Sequence, residues 1–308
     1  MSQERIYPIG TPGEKWGEAE KTEWLQQQSI KRSYQEEVLD KLEALKAHFD
    51  IEQYGALSYD ADRYPLYVVK SRNWDSSKPI CLITGGVHGY ETSGVQGALR
   101  FLETKAAEFS AHFNLIVAPC VSPWGYETIN RWNPHSVDPN RSFSPDKPAE
   151  EAGLLMDYVA GLNLKFTVHL DLHETTDTDN SEFRPAKAAR DAIPLKVWHI
   201  PDGFYTVDDA ENPQDRFQTA VIQAVEKVTH IAADEDGKII GETMTQPGVI
   251  RYPYSKLGLC GGFTGATFTT TTEVYPDSPQ VDDENCIQAQ VAAVTGGLNY
   301  VLDQPRAH

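Results

Sequence analysis

The chain has 308 residues, 45 acidic side chains against 27 basic, and a formal net charge of −18. So negative a surface repels phosphate backbones, which argues against sequence-independent nucleic-acid binding, and 40% apolar content is enough for a sizeable core rather than a disordered chain. No apolar run approaches the ~20 residues needed to span a bilayer, and the first residues carry no apolar signal segment. A soluble, cytoplasmic protein without a membrane partner is expected.

Taken in chain order, the first 30 residues are polar with Tyr7, Trp16 and Trp24 as anchors, and read as an extension packing onto a body. Val38, Leu39, Leu42, Leu45 and Phe49 recur at helical spacing, predicting an amphipathic helix over 30–48. Residues 1–50 are thus expected as an N-terminal extension, and 51–308 as a catalytic domain. Strands are predicted at 64–69, where Pro65 suggests an edge, and at 79–84, 114–119, 166–172 and 266–272. Helices are predicted at 92–108, 149–161, about 213–229 and about 283–303. Alternating strands and helices imply one α/β domain whose sheet is covered on both faces. The four cysteines (Cys81, Cys120, Cys260, Cys286) are too widely spaced for a paired-Cys zinc site or a disulfide framework, and are expected as small buried hydrophobes. The runs Asp208-Asp209-Ala210-Glu211, Asp234-Glu235-Asp236 and Asp282-Asp283-Glu284 read as solvated surface.

Four segments concentrate chemistry. Gly86-Val87-His88-Gly89-Tyr90-Glu91 lies between a buried strand and a helix, where α/β sheets bind ligands. His88 and Glu91, three apart, suit Zn²⁺, although a surface His and a helix-start Glu are the plainer alternative. In Leu170-Asp171-Leu172-His173-Glu174, alternation puts His169, Asp171 and His173 on one strand face. His173 is best placed to share a metal with His88 and Glu91, leaving His169 or Asp171 as a supporting or structural residue. Glu273 ends the strand Phe268-Thr269-Thr270-Thr271-Thr272; it is either an edge charge or a general base beside a metal-bound water. Finally, Arg131 and Arg141 stand on a loop after a buried strand, suited to fork onto a carboxylate, brace an oxyanion or form loop salt bridges.

In order and spacing, these segments resemble the zinc metallocarboxypeptidases: the carboxypeptidase A-like group with its aspartoacylase and succinylglutamate desuccinylase relatives. The resemblance spans roughly residues 64–303. It implies a mixed, mostly parallel sheet flanked by helices, and one zinc ion per chain held by His88, Glu91 and His173. It further implies Glu273 as general base and acid, Arg131 as the group polarising the scissile carbonyl, and Asn140 with Arg141 as the clamp on the substrate's terminal carboxylate. The expected activity is hydrolysis of a C-terminal peptide bond; the alternative is deacylation of a small N-acyl amino acid, which the Asp-Leu-His-x-Thr stretch around His173 favours. Either substrate carries a free carboxylate. Departures are Ser122 where the family has Asn, and Asp138-Pro139 before the Asn-Arg pair. A mobile-loop tyrosine of the larger carboxypeptidases corresponds to Tyr252 or Tyr254, and the Gly-rich stretch 258–265 reads as a flexible wall or lid of the pocket.

Overall fold

The computed structural model describes residues 7–194, 199–233 and 236–304. The first six residues, read above for a signal segment, and Asp234 and Glu235 lie outside the described residues. In chain order the elements are α1 (Glu18–Gln26), a π-helical turn (Gln35–Leu39) running into α2 (Asp40–Leu45), β1 (Phe49–Ala56), β2 (Pro65–Ser71) and β3 (Ile80–Gly85). Next come α3 (Thr92–Thr104), α4 (Ala106–Phe109), β4 (Asn114–Ala118), α5 (Pro123–Thr128), α6 (Glu150–Gly161), β5 (Val168–Glu174) and α7 (Arg184–Asp191). The remainder is β6 (Tyr205–Asp209), α8 (Asp215–Val225), the hairpin β7 (Lys238–Ile239) and β8 (Glu242–Thr243), β9 (Val249–Tyr252), α9 (Tyr254–Leu257), β10 (Phe268–Val274) and α10 (Asp283–Leu302).

Eight strands form one mixed sheet in the order β1-β2-β4-β3-β5-β10-β6-β9. Its centre, β4-β3-β5-β10, is parallel, while β1-β2, β2-β4 and β10-β6 are antiparallel. Apolar residues alternate between two cores: Cys81, Ile83, Leu115 and Val117 belong to the one that includes residues of α3, α8 and α10, whereas Leu82, Ile116 and Ala118 belong to the one that includes residues of α6. A strand apolar on both sides is buried on both sides, so the helices cover both faces. The α/β expectation and the mixed, mostly parallel sheet therefore hold. The Thr run of β10 is buried but satisfied, with Thr270 Oγ1 donating to Gln218 Oε1 at 2.8 Å and Thr272 Oγ1 to Gln290 Oε1 at 2.6 Å. All four cysteines are buried and free. Among the described residues no helix is long and apolar enough to cross a membrane.

Several expectations are corrected. β2 is not an edge strand: Pro65 sits at its first position, paired with Ala56 of β1, and β2 continues onto β4. The helix expected over 30–48 begins at Gln35 and ends at Leu45. Phe49, placed on the apolar stripe of that helix, is the first residue of β1, where it pairs with Ser71. Asp208, expected on the surface, is fully buried in β6, where Arg251 Nε donates to it at 2.9 Å and Gln218 Nε2 at 3.0 Å. The 258–265 stretch is a packed wall: Cys260 is buried and its N–H donates to Asn140 Oδ1 at 2.8 Å.

Candidate metal centre and active-site cleft

Three adjacent parallel strands bring the chemistry together at their carboxyl ends. Gly85 of β3 pairs with Leu172 of β5, and His173 of β5 pairs with Glu273 of β10. The β3–α3 connection carries His88 and Glu91. Its entry uses Gly86 at φ +61°, a left-handed conformation that glycine adopts without a steric penalty. Ser122 Oγ, at the position where the resembled family has Asn, braces this loop by donating to Val87 O at 2.7 Å.

One ring nitrogen and one carboxylate oxygen from His88, Glu91 and His173 lie within 4.8 Å of one another, all three residues buried. His88 Nδ1 is 2.8 Å from Glu91 Oε1 and His173 Nδ1 is 2.7 Å from Glu91 Oε2. The two imidazoles stand edge to face, centroids 5.0 Å apart. The other nitrogen of each ring is taken by a carboxylate: His88 Nε2 donates to Asp138 Oδ1 at 2.9 Å, and His173 Nε2 to Asp171 Oδ2 at 2.8 Å. Such partners fix a ligand's tautomer and turn its free nitrogen toward a metal. Despite its closeness to His173, Glu91 Oε2 has no aligned hydrogen bond among the described residues and is buried. Two nitrogens and an orphaned carboxylate oxygen converging on one point fit a three-ligand zinc site of the catalytic type.

Electrostatics follow the same geometry. Burial alone would raise Glu91, but His173 and His88 outweigh it and hold the carboxyl at about 2. Burial would lower His173, yet Asp171 and Glu91 raise it well above the ordinary histidine value. For Asp138, Arg131 and His88 outweigh burial and keep it well below the usual carboxylate range. Glu273 is pushed up to about 8 by burial, against the opposing pull of His173, and accepts a 2.8 Å hydrogen bond from Thr175 Oγ1.

A cavity of about 610 Å³ opens over this cluster, lined by His88, Glu91, Arg131, Asn140, Arg141 and Glu273 among others. The arginine proposed to face the carbonyl is held from two sides. Arg131 Nε donates to Asp138 Oδ2 at 3.2 Å, and Nη1 lies 3.4 Å from both Asp179 Oδ1 and the Tyr90 hydroxyl. Asn140 presents its amide with Nδ2 3.5 Å from His173 Nε2, and Arg141 Nη1 donates to Asn140 O at 2.7 Å. Six of the predicted site residues thus line one cleft, and His173, buried behind it, meets them through Glu91. Asp138 was missed as a working residue: it touches His88, Arg131 and the Asn140 N–H at once. Its only signal was its place directly before Pro139-Asn140-Arg141. Of the two tyrosines, Tyr252 lines the cavity; Tyr254 is buried with its hydroxyl donating to Val207 O. Arg184 and Asp179 line it too, whereas Arg251 is engaged by Asp208 and Asp215 away from it. His169 is structural, 3.1 Å from Thr84 Oγ1 and lowered to about 4 by burial.

Comparison with known proteins bears on the fold. Residues 77–200 match the succinylglutamate desuccinylase/aspartoacylase catalytic domain. Among solved structures, a candidate metallopeptidase from Shewanella amazonensis superposes with TM-score 0.64 at 22% identity, covering 89% of this chain and 98% of its own. The fold is carboxypeptidase-like. Bovine thrombin-activatable fibrinolysis inhibitor is similar at TM-score 0.59 and 13% identity, over 91% of this chain and 99% of its own. A Pseudomonas aeruginosa metallo-carboxypeptidase, in complex with (2-guanidinoethylmercapto)succinic acid, gives TM-score 0.58 at 14% identity, over 85% of this chain and 68% of its own. No curated protein matches. The resemblance drawn from the motifs, to zinc carboxypeptidases and their desuccinylase and aspartoacylase relatives, therefore holds.

Proposed function

We propose that this chain is a zinc-dependent metallocarboxypeptidase that hydrolyses the C-terminal peptide bond of its substrate. The observation that carries the reading is the convergence of His88, Glu91 and His173 at a cavity lined by His88, Glu91, Glu273 and Arg131. Zinc, when bound by those three residues, supplies Lewis acidity toward water and a carbonyl oxygen.

The chain's own groups do the rest. Glu273 takes a proton from the attacking water as the new C–O bond forms, then delivers it to the amine nitrogen as the C–N bond breaks. A carboxyl raised to about 8 in the metal-free protein is pulled down by any cation bound beside it, so it is ionised when needed as a base. Arg131, fixed by Asp138 and Asp179, offers its charge to the developing oxyanion without rearranging, the condition under which such donors contribute about 10²–10³ in rate. Asn140 and Arg141 hold the substrate's terminal carboxylate, so binding is converted into orientation.

Glu273→Gln keeps the cleft's shape but removes the base. It should bind zinc as the parent does and lose hydrolysis by three or more orders of magnitude; a variant as active as the parent sinks the assignment. A second reading, deacylation of a small N-acyl amino acid, is favoured by the catalytic-domain match over residues 77–200, which contains both ligand-bearing segments. The two are separated by comparing C-terminal release from peptides with hydrolysis of acetyl- and succinyl-amino acids.

A further inference from the structure

The segment before the first strand lies outside the region matched to the catalytic domain, yet it reaches the metal-binding loop. Residues 31–34 run along α5: the N–H groups of Lys31 and Arg32 donate to Glu127 O at 2.8 and 3.3 Å, and that of Tyr34 to Glu127 Oε1 at 2.9 Å. This fixes where Arg32 starts. Its guanidinium lies 3.5 Å over the Tyr126 ring and makes three short hydrogen bonds in three directions. Nε donates to Tyr126 O at 2.6 Å, Nη1 to Thr92 Oγ1 at 2.7 Å, and Nη2 to Gly89 O at 2.8 Å.

Those partners bracket the site. Gly89 lies between His88 and Glu91, Thr92 follows Glu91 at the start of α3, and Tyr126 belongs to the helix on which the loop rests. The loop is seated so closely that a Cβ at Gly89 would lie 2.1 Å from Gly125 C and Tyr126 N. A planar fork with five fixed donors can hold three such groups at once, whereas an ammonium is a point charge on a flexible stem.

We propose that Arg32 is a positioning residue for the metal centre: the N-terminal segment uses its guanidinium to preset the His88–Glu91 loop in the metal-binding conformation. This rests on the reading of His88, Glu91 and His173 as zinc ligands. It predicts an effect on zinc affinity beyond any effect on folding, of the size seen when supporting residues around a metal site are lost, about 10- to 100-fold.

The test measures zinc dissociation constants by chelator competition, together with melting temperatures of the metal-free protein. Parent, Arg32→Lys, Arg32→Gln and Ser33→Ala are compared. Ser33 is the neighbouring residue, and among the described residues its hydroxyl accepts only the Glu36 N–H at 3.1 Å, so its loss weakens the same segment without touching the loop. The expected result is a zinc affinity 10- to 100-fold weaker in both Arg32 variants, lysine failing to rescue, and within about twofold of the parent in Ser33→Ala. Arg32→Lys with parental zinc affinity overturns the proposal, whatever its melting temperature. Equal losses in Arg32→Lys and Ser33→Ala overturn it as well, since the segment would then act only through stability. A parent that binds no zinc overturns the reading of the ligand set itself, and the proposal with it.

Discussion

Asp138→Asn gives a sharp test of how the cleft is organised. The carboxylate makes three contacts: Oδ1 accepts from His88 Nε2 at 2.9 Å and from the Asn140 N–H at 3.0 Å, while Oδ2 accepts from Arg131 Nε at 3.2 Å. Asparagine keeps one acceptor oxygen and replaces the other with an amide that can only donate. Placing the oxygen at Oδ1 preserves two contacts, whereas placing it at Oδ2 preserves one, so the amide nitrogen should face Arg131. There it meets another donor, and a charge-assisted hydrogen bond of about 1.5–3 kcal/mol is lost. If Arg131 acts on the transition state, that loss appears as a fall of roughly 10- to 150-fold in kcat. Zinc affinity, set through His88, should change much less. Steady-state hydrolysis at saturating zinc, alongside chelator competition, reads both quantities. A folded, zinc-loaded variant with parental kcat would refute the role given to Arg131 and its anchoring by Asp138.

Other outcomes follow from the same structure. Glu151 is fully buried, Oε1 has no hydrogen-bond partner among the described residues, and burial raises its pKa to about 7 from 4.5. The folded state thus holds the proton more tightly than the unfolded one, and stability falls as pH rises between those values, by about 3 kcal/mol in full. Glu151→Gln removes this loss, so its stability relative to the parent should rise by about 2–3 kcal/mol between pH 4.5 and pH 8 in denaturant titrations; a pH-independent difference contradicts the assignment. Gly89→Ala forces a backbone collision with Gly125 and should cost about 2–3 kcal/mol, with weakened zinc binding. Gly161→Ala, where nothing lies within 4 Å of the added methyl, should stay within about 0.5 kcal/mol of the parent.

The sheet centre and the clustering of His88, Glu91 and His173 were legible because both rest on local signals. Apolar runs such as Ile80–Gly85 can hardly be anything but buried strands, and His88, Glu91 and His173 stand at strand ends, where α/β sheets place ligands. What escaped depended on distant partners. β6 carries a charge that read as surface, and its side-by-side pairing with β9 brings Arg251 to Asp208 and makes that charge buriable. β1 follows a helix closely enough that Phe49 fell on its apolar stripe, although the chain had already turned into a strand. Asp138 looked like a loop residue: Arg131 stands on the same loop, but His88 lies on another connection, and only the fold brings the three together. Arg32 carried no signal at all: nothing in a polar N-terminal stretch points to the Gly89 carbonyl between His88 and Glu91.

The most direct measurement is zinc content of the purified chain together with release of free amino acids from a peptide mixture, before and after treatment with a chelator. One zinc per chain is expected, with C-terminal residues released, activity abolished on chelation and restored by added zinc. Amino-acid release that survives complete removal of the metal would contradict a hydrolase built around His88, Glu91 and His173.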